Sequence, residues 1–226
     1  NLLKSATKHK VKKLFYSSSA CVYSSYNQKN YKSPKLKETD AYPADPEDGY
    51  GWEKLFNERM CRHFYEDFGL ETRVARYHNV YGEFGSWCDG REKAPAALAR
   101  KFVESIHNKK NKIEIWGNGN QVRSFLYIDD CIRGTDLLFR SKFREPINIG
   151  NDKHVTINQL VTILEKITGH RVKRKYDKSK PKGVNSRSSD NTLVKKILKW
   201  SPKISTEVGM EKLYKYIKFE YFNKKN

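Results

Sequence analysis

A chain of 226 residues, at about 150 residues per domain, is long enough to bury a core that needs neither disulfides nor metals. Its 13% aromatic content excludes a disordered chain, and no run approaches the ~18 apolar residues of a membrane span. The formal charge of +19, from 45 basic and 26 acidic residues, favours anionic partners, nucleic acid or phosphorylated small molecules; a Lys-rich solvated surface is expected ahead of a nucleic-acid groove, because the basic residues are spread along the chain in no helix-turn-helix, zinc-finger or RNP pattern.

In chain order, the residues before Lys12 read as the tail of a helix with no secretory leader. A strand is expected from Lys13 through Ser17–Ser19 to Tyr23. Residues 24–47, with Pro34, Pro43 and Pro46, form a loop. Leu55, Phe56, Met60, Phe64 and Phe68 at helical spacing predict a helix over Asp48–Phe68, ended by Gly69. A strand over Thr72–Tyr77 and a glycine-punctuated loop over Tyr81–Gly90 follow. Next come a helix over Ala94–Ile106, a strand over Lys112–Trp116 and a turn at Gly117–Asn120. A strand over Val122–Ile128 precedes an Asp-capped helix over Asp129–Ser141. Ile147–Ile149 is a short strand, Thr156–Thr168 a helix capped by Thr156, and Arg171–Tyr176 an edge strand. A basic loop with Pro181 occupies 177–189, before helices over Thr192–Leu198 and Glu207–Phe222. Strands alternating with helices predict a parallel α/β core, with a less regular, interleaved lobe from about residue 80.

The cysteines, Cys21, Cys61, Cys88 and Cys131, show no CxxC or metal-ligand spacing, so neither a disulfide framework nor a metal site is expected. Dispersed single thiols suit a reducing, cytoplasmic setting. Tyr50 and Lys54 lie four apart, on one face of the long helix. A lysine beside a phenol stabilises the phenolate, which can take a hydroxyl proton as hydride leaves the same carbon. In isolation, a packing tyrosine and a solvated lysine are the better explanation of the pair. Its neighbours add weight: the strand before it ends in Ser17–Ser19 and Cys21, and the strand after it ends Arg76-Tyr77-His78-Asn79-Val80-Tyr81-Gly82. Ligands of parallel sheets bind at such strand ends.

This order resembles the extended short-chain dehydrogenase/reductase family of nucleotide-sugar epimerases and dehydratases. Within it, the blocks Ser18–Tyr23, Phe84–Ala97, Trp116–Gly119, Gln121–Phe125, Phe143–Gly150 and Ser189–Asn191 are similar to the 3,5-epimerases of GDP-mannose. The resemblance implies the C-terminal portion of a Rossmann-like parallel sheet with a smaller substrate-binding lobe. Residues 1–80 would belong to the dinucleotide-binding domain and 81–226 mainly to the substrate lobe. It implies NAD as cofactor, touched by Tyr50 and Lys54. It places Cys21 and Lys93 as the acid/base pair acting on C3 and C5 of the hexose, the lysine lowered from its usual pKa by burial. Ser19, Ala20, Asn79, Glu92, Ala94, Lys101, Gln121, Val122, Arg123 and Arg187 fall at substrate-contacting positions, with Arg187 suited to a pyrophosphate. A GDP-sugar substrate, a homodimer formed through the Tyr50 helix and a cytoplasmic location are implied as well. Read without the family, Cys21 is a small buried hydrophobe, Lys93 a solvated helix start, and Arg123 and Arg187 surface charge.

One departure stands out. The family's Gly-x-x-Gly-x-x-Gly turn, whose amides approach the NAD pyrophosphate, is not in this sequence. The expectation is a chain that starts inside the helix before the first strand, lacks the first mononucleotide-binding half and binds NAD weakly or not at all alone; a fragment of a longer protein, a separately encoded half that assembles with it and a naturally truncated relative stay open as explanations. Two other functions stay open: a 4-epimerase or dehydratase of another nucleotide sugar, and an inactive relative serving as an interaction or nucleic-acid-binding protein.

Overall fold

The computed structural model describes residues 1–180 and 183–223; Pro181 and Lys182, counted in the expected basic loop, lie outside the described residues. The chain runs α1 (Leu2–Lys8), β1 (Lys13–Ser19), α2 (Gly49–Phe68), β2 (Glu71–Tyr77), β3 (Val80–Tyr81), α3 (Ala94–His107), β4 (Lys112–Trp116) and β5 (Val122–Ser124). It continues β6 (Leu126–Tyr127), α4 (Ile128–Arg140), β7 (Ile147–Ile149), β8 (His154–Thr156), α5 (Ile157–Thr168), β9 (Lys173–Asp177), β10 (Ser186–Arg187), α6 (Thr192–Leu198) and α7 (Thr206–Asn223).

Strands β1, β2 and β7 form a parallel sheet in that order, with Ser17 opposite Ala75 and Ala75 opposite Ile147. Side chains alternate across it, as the two-residue strand period requires. Leu14 joins Ala6, Met60, Phe64 and Leu70 on the α1/α2 side, while Phe15 and Ala75 join Cys131, Leu138, Ile147 and Trp200 on the α4/α6 side. Burial on both faces is what a parallel sheet needs. Helix α2 starts where the Asp48 carboxylate accepts from the Gly51 amide at 2.8 Å, and it stops where Gly69 turns to φ +69°.

The remaining strands make smaller sheets: β10-β5-β8, with β10 parallel and β8 antiparallel to β5, and the parallel pairs β3-β6 and β4-β9. Helices α3, α5 and α7 pack around Phe102, Leu160, Leu164 and Met210. The Thr156 hydroxyl and the Gln159 carboxamide cap the start of α5 reciprocally. Among the described residues no helix is long and apolar enough to cross a membrane.

The mixed α/β class with parallel strands is the expected one, and the differences are local. The first strand stops at Ser19, because the Ser19 hydroxyl accepts from the Cys21 amide and turns the chain into a short 3-10 turn over Ala20–Val22. The expected strand over Val122–Ile128 divides at Phe125 into β5 and β6, which join different sheets. Strands β3, β8 and β10 were not expected; each has only two or three residues and exists through its partner.

Candidate active site

The C-terminal rim of the sheet carries the first group of expected site residues. Ser19 caps the turn, Ala20 is buried in an apolar cluster with Val22, Tyr23 and Leu55, and Cys21 is a half-buried free thiol. Helix α2 presses on this turn closely enough that a Cβ on Gly51 would lie 2.3 Å from the Cys21 carbonyl oxygen. Only glycine fits there, and the contact sets the adjacent Tyr50 at the same rim. Tyr50 is half exposed. Lys54 donates from Nζ to the Ser17 carbonyl oxygen at 2.9 Å and stands 5.5 Å from the centre of the Tyr50 ring. The spacing of four thus does place phenol and ammonium side by side.

Arg187 reaches the rim from the other side. Its Nη1 donates to the Cys21 sulfur at 3.2 Å and its Nε to Gln28 Oε1 at 2.5 Å, with the Glu47 carboxylate 3.6 Å from Nη2. The parallel register of β10 on β5 sets Arg187 directly opposite Arg123. Burial, then the neighbouring Arg187 charge, pushes the Arg123 guanidinium down to about 10. Two cations side by side, one of them largely desolvated, form a place where an anion is favoured.

Arg123 also lines a cavity of about 420 Å³ with Asn79, Glu92, Lys93, Ala94, Lys101 and Gln121. Asn79 adopts φ +41°, a left-handed conformation that asparagine tolerates, and donates to the Ser124 carbonyl oxygen. Lys93 stands at the N-cap position of α3 without a side-chain capping bond and is exposed, so the expectation of a buried lysine is corrected: it lines the cavity from its solvent-exposed side. The Glu92 carboxylate is held below its usual range although burial opposes it; it accepts from the Gly90 amide and from Arg100 and so shapes the loop before α3. Burial lowers Lys101, whose Nζ donates to the Glu114 carbonyl oxygen at 2.7 Å. Gln121 is buried, with Nε2 on the Trp116 carbonyl oxygen and Oε1 without a partner among the described residues.

Cys21, Tyr50, Lys54, Ser19, Ala20, Val122 and Arg187 lie outside this cavity's lining. Val122 serves as strand backbone, its amide donating to the Asn185 carbonyl oxygen. The two groups of expected residues are joined through the Arg123–Arg187 pair.

A buried polar network beneath the rim escaped the sequence reading. Glu58 accepts from Ser18 Oγ at 2.5 Å and from Arg76 Nε and Nη2 at 2.9 and 2.7 Å. The Tyr23 hydroxyl donates to Asn148 Oδ1 at 2.6 Å, and His78 Nε2 lies 2.9 Å from the same oxygen. Burial, against that hydrogen bond and with help from the Arg187 and Arg76 charges, holds the His78 imidazole down at about 4. The signal was present: Leu55, Glu58, Cys61 and Phe64 are spaced three apart, so Glu58 is a carboxylate on the apolar face of α2.

A parallel sheet flanked by helices on both faces, with polar groups gathered at its C-terminal rim, defines a Rossmann-like α/β protein, a class in which ligands bind beyond the strand ends. The chain belongs to the NAD dependent epimerase/dehydratase family, which matches residues 1–150. It is 42% identical over 223 residues to GDP-mannose 3,5-epimerase of Arabidopsis thaliana, covering 96% of this chain and 56% of that relative. The chain therefore spans just over half the length of the curated relatives it matches. Among solved structures, UDP-glucose 4-epimerase of Thermotoga maritima with UDP-glucose superposes with a TM-score of 0.86 at 30% identity, over 97% of this chain and 68% of that one. UDP-glucuronic acid 4-epimerase of Bacillus cereus, in complex with UDP-glucuronic acid and NAD, gives 0.81 at 30% identity, over 97% and 66%.

Proposed function

We propose that this chain carries the sugar-handling residues of an NAD-dependent epimerisation of GDP-mannose at C3 and C5, by way of a transient 4-keto hexose, giving GDP-L-galactose, GDP-L-gulose or both. The observation that supports it most is the line of groups from Cys21 through Arg187 and Arg123 to the cavity that Lys93 lines. In this reading the pyrophosphate lies on Arg187 and Arg123, and the nucleoside takes the cavity beside Lys101 and Gln121, whose orphaned Oε1 awaits a donor.

A hexose C–H is not acidic until the neighbouring carbon is a ketone. Tyr50 takes the C4 hydroxyl proton, with the Lys54 ammonium held beside its ring by the Ser17 carbonyl. NAD, when bound there, would supply the reversible hydride chemistry at C4 that no side chain of this chain can supply. Tyr50 and Lys54 fit the nicotinamide end of that cofactor: a phenol and an anchored ammonium side by side at the open rim of a parallel sheet. Once C4 is a ketone, loss of the C3 or C5 proton gives an enolate. Cys21 and Lys93 then remove a proton from one face of the ring and return one to the other. Ser19 fixes the turn that presents Cys21; Asn79, Glu92 and Ala94 shape the cavity wall, and Val122 holds the strand that carries Arg123.

The same reading assigns residues 1–80 to the dinucleotide-binding domain and most of 81–226 to the substrate lobe, in a cytoplasmic enzyme. It takes the exposed Trp52 and Phe56 on α2 as the contact of a homodimer. The test is incubation of the protein with GDP-mannose and NAD, with the nucleotide sugars separated by chromatography. New GDP-hexose epimers are expected, and none in Cys21→Ala or Lys93→Ala. Turnover of UDP-glucose with GDP-mannose left unchanged would overturn the assignment.

A further inference from the structure

Gln28 lies in a segment that reads as featureless loop, yet its side chain is fully buried and all its hydrogen-bonding groups are used. Nε2 donates to the carbonyl oxygens of Tyr23 and Ser24 at 3.1 and 3.2 Å, and Oε1 accepts from Arg187 Nε at 2.5 Å. The backbone repeats the tie, because the Asn185 amide donates to the Gln28 carbonyl oxygen and Asn185 Nδ2 to that of Lys29. A guanidinium is a rigid planar fork, so fixing its Nε edge also fixes where its Nη atoms point. Here Nη1 points at the Cys21 sulfur, 3.2 Å away. The acidic neighbour of Arg187, Glu47, is half exposed and 3.6 Å from Nη2, too loosely placed to set the orientation. The Arg123 charge opposite repels Arg187 and would turn a freely rotating side chain away.

We propose that Gln28 is a positioning residue: its carboxamide holds Arg187 so that the guanidinium faces the Cys21 sulfur and draws anionic groups to that thiol. The claim concerns the site used in the epimerase reading, but it rests on thiol and guanidinium geometry alone, so its test needs no turnover. The probes are two alkylating reagents of nearly equal size, anionic iodoacetate and neutral iodoacetamide. Rates at each cysteine are read by peptide mass spectrometry, with exposed Cys88 as reference within the same chain. In the unmodified protein the iodoacetate-to-iodoacetamide ratio is expected to be several-fold higher at Cys21 than at Cys88. Gln28→Met keeps the side chain's size and removes the acceptor; it should lower the Cys21 ratio about threefold or more, with the Cys88 ratio unchanged. Arg187→Lys, which keeps the charge and loses the fork, should lower it as well. A packing role alone would change both reagents' rates together and leave the ratio intact. Equal ratios at Cys21 and Cys88 in the unmodified protein would overturn the proposal. So would a Cys21 ratio that survives Gln28→Met. If Gln28→Met does not fold, Arg187→Lys decides, and an undiminished ratio there overturns it too.

Discussion

The rim beneath Cys21 and the cavity beside Lys93 handle charge in opposite ways. At the rim, Glu58 and Arg76 are both buried and bonded to each other, and Ser18, Tyr23 and Asn148 complete the network. In the cavity region, Arg123 and Arg187 face each other in register and Lys93 is exposed, with the Glu92 carboxylate already committed to Gly90 and Arg100. One region pairs its buried charges with each other and acts as scaffold. The other leaves positive charge in excess, the condition expected of a site completed by an anion. Changes in the rim should therefore cost stability, and changes in the cavity should cost binding.

The largest effect is expected from Arg76→Met. It leaves Glu58 buried without its cation, a loss of about 3–5 kcal/mol and a drop in melting temperature on the order of 10 °C. Thermal unfolding checks it, and the double replacement Glu58→Leu/Arg76→Met should recover most of the loss. Next is the pH dependence set by His78. Its folded pKa of about 4 lies below the unfolded value of about 6.5. The unfolded state therefore binds the proton more readily, and stability falls as pH drops from about 6.5 through 4. The total is roughly 3 kcal/mol. Urea unfolding at stepped pH should show this slope, and His78→Gln should flatten it. Gly51→Ala comes third: its Cβ would meet the Cys21 carbonyl oxygen at 2.3 Å and Pro46 at 2.8 Å, costing about 1–3 kcal/mol and displacing the thiol. Smallest in stability, and the sharpest contrast, is Arg123→Met. It removes a charge that burial disfavours, so stability should stay within about 1 kcal/mol. Binding of GDP, followed by calorimetry, should weaken at least tenfold. A destabilised Arg123→Met protein with normal GDP binding would erase the distinction between scaffold and site.

The two regions also differed in how far the sequence disclosed them. Helix α2 was readable because its apolar spacing, its Asp48 cap and Gly69 all agree, and this put Tyr50 and Lys54 on one face. The parallel β1 was readable from Leu14-Phe15-Tyr16 running into a serine-rich end, and β2 from its place after Gly69, although Arg73 and Arg76 interrupt it. Strand β10 was not: two residues carry no periodicity, and Arg187 faces Arg123 only because Asn185 and Ser189 are tied to Gln28, Lys29 and Leu36 far away in the chain. The Lys93 position was readable from motif resemblance, but the burial expected with it fails, and the plain reading of a solvated helix start describes its exposure. Gln28 shows the same limit as β10, because a buried glutamine clamping a distant arginine leaves no local signature.

The central claim is proton exchange at the hexose by Cys21 and Lys93, and exchange in D₂O with GDP-mannose and NAD measures it most directly. Mass spectrometry of the recovered nucleotide sugar is expected to show deuterium at C3 and C5, absent in Cys21→Ala and in Lys93→Ala. Deuterium entering the hexose equally well in those two variants, or none entering with the unmodified protein under conditions where it binds both GDP-mannose and NAD, would contradict the account.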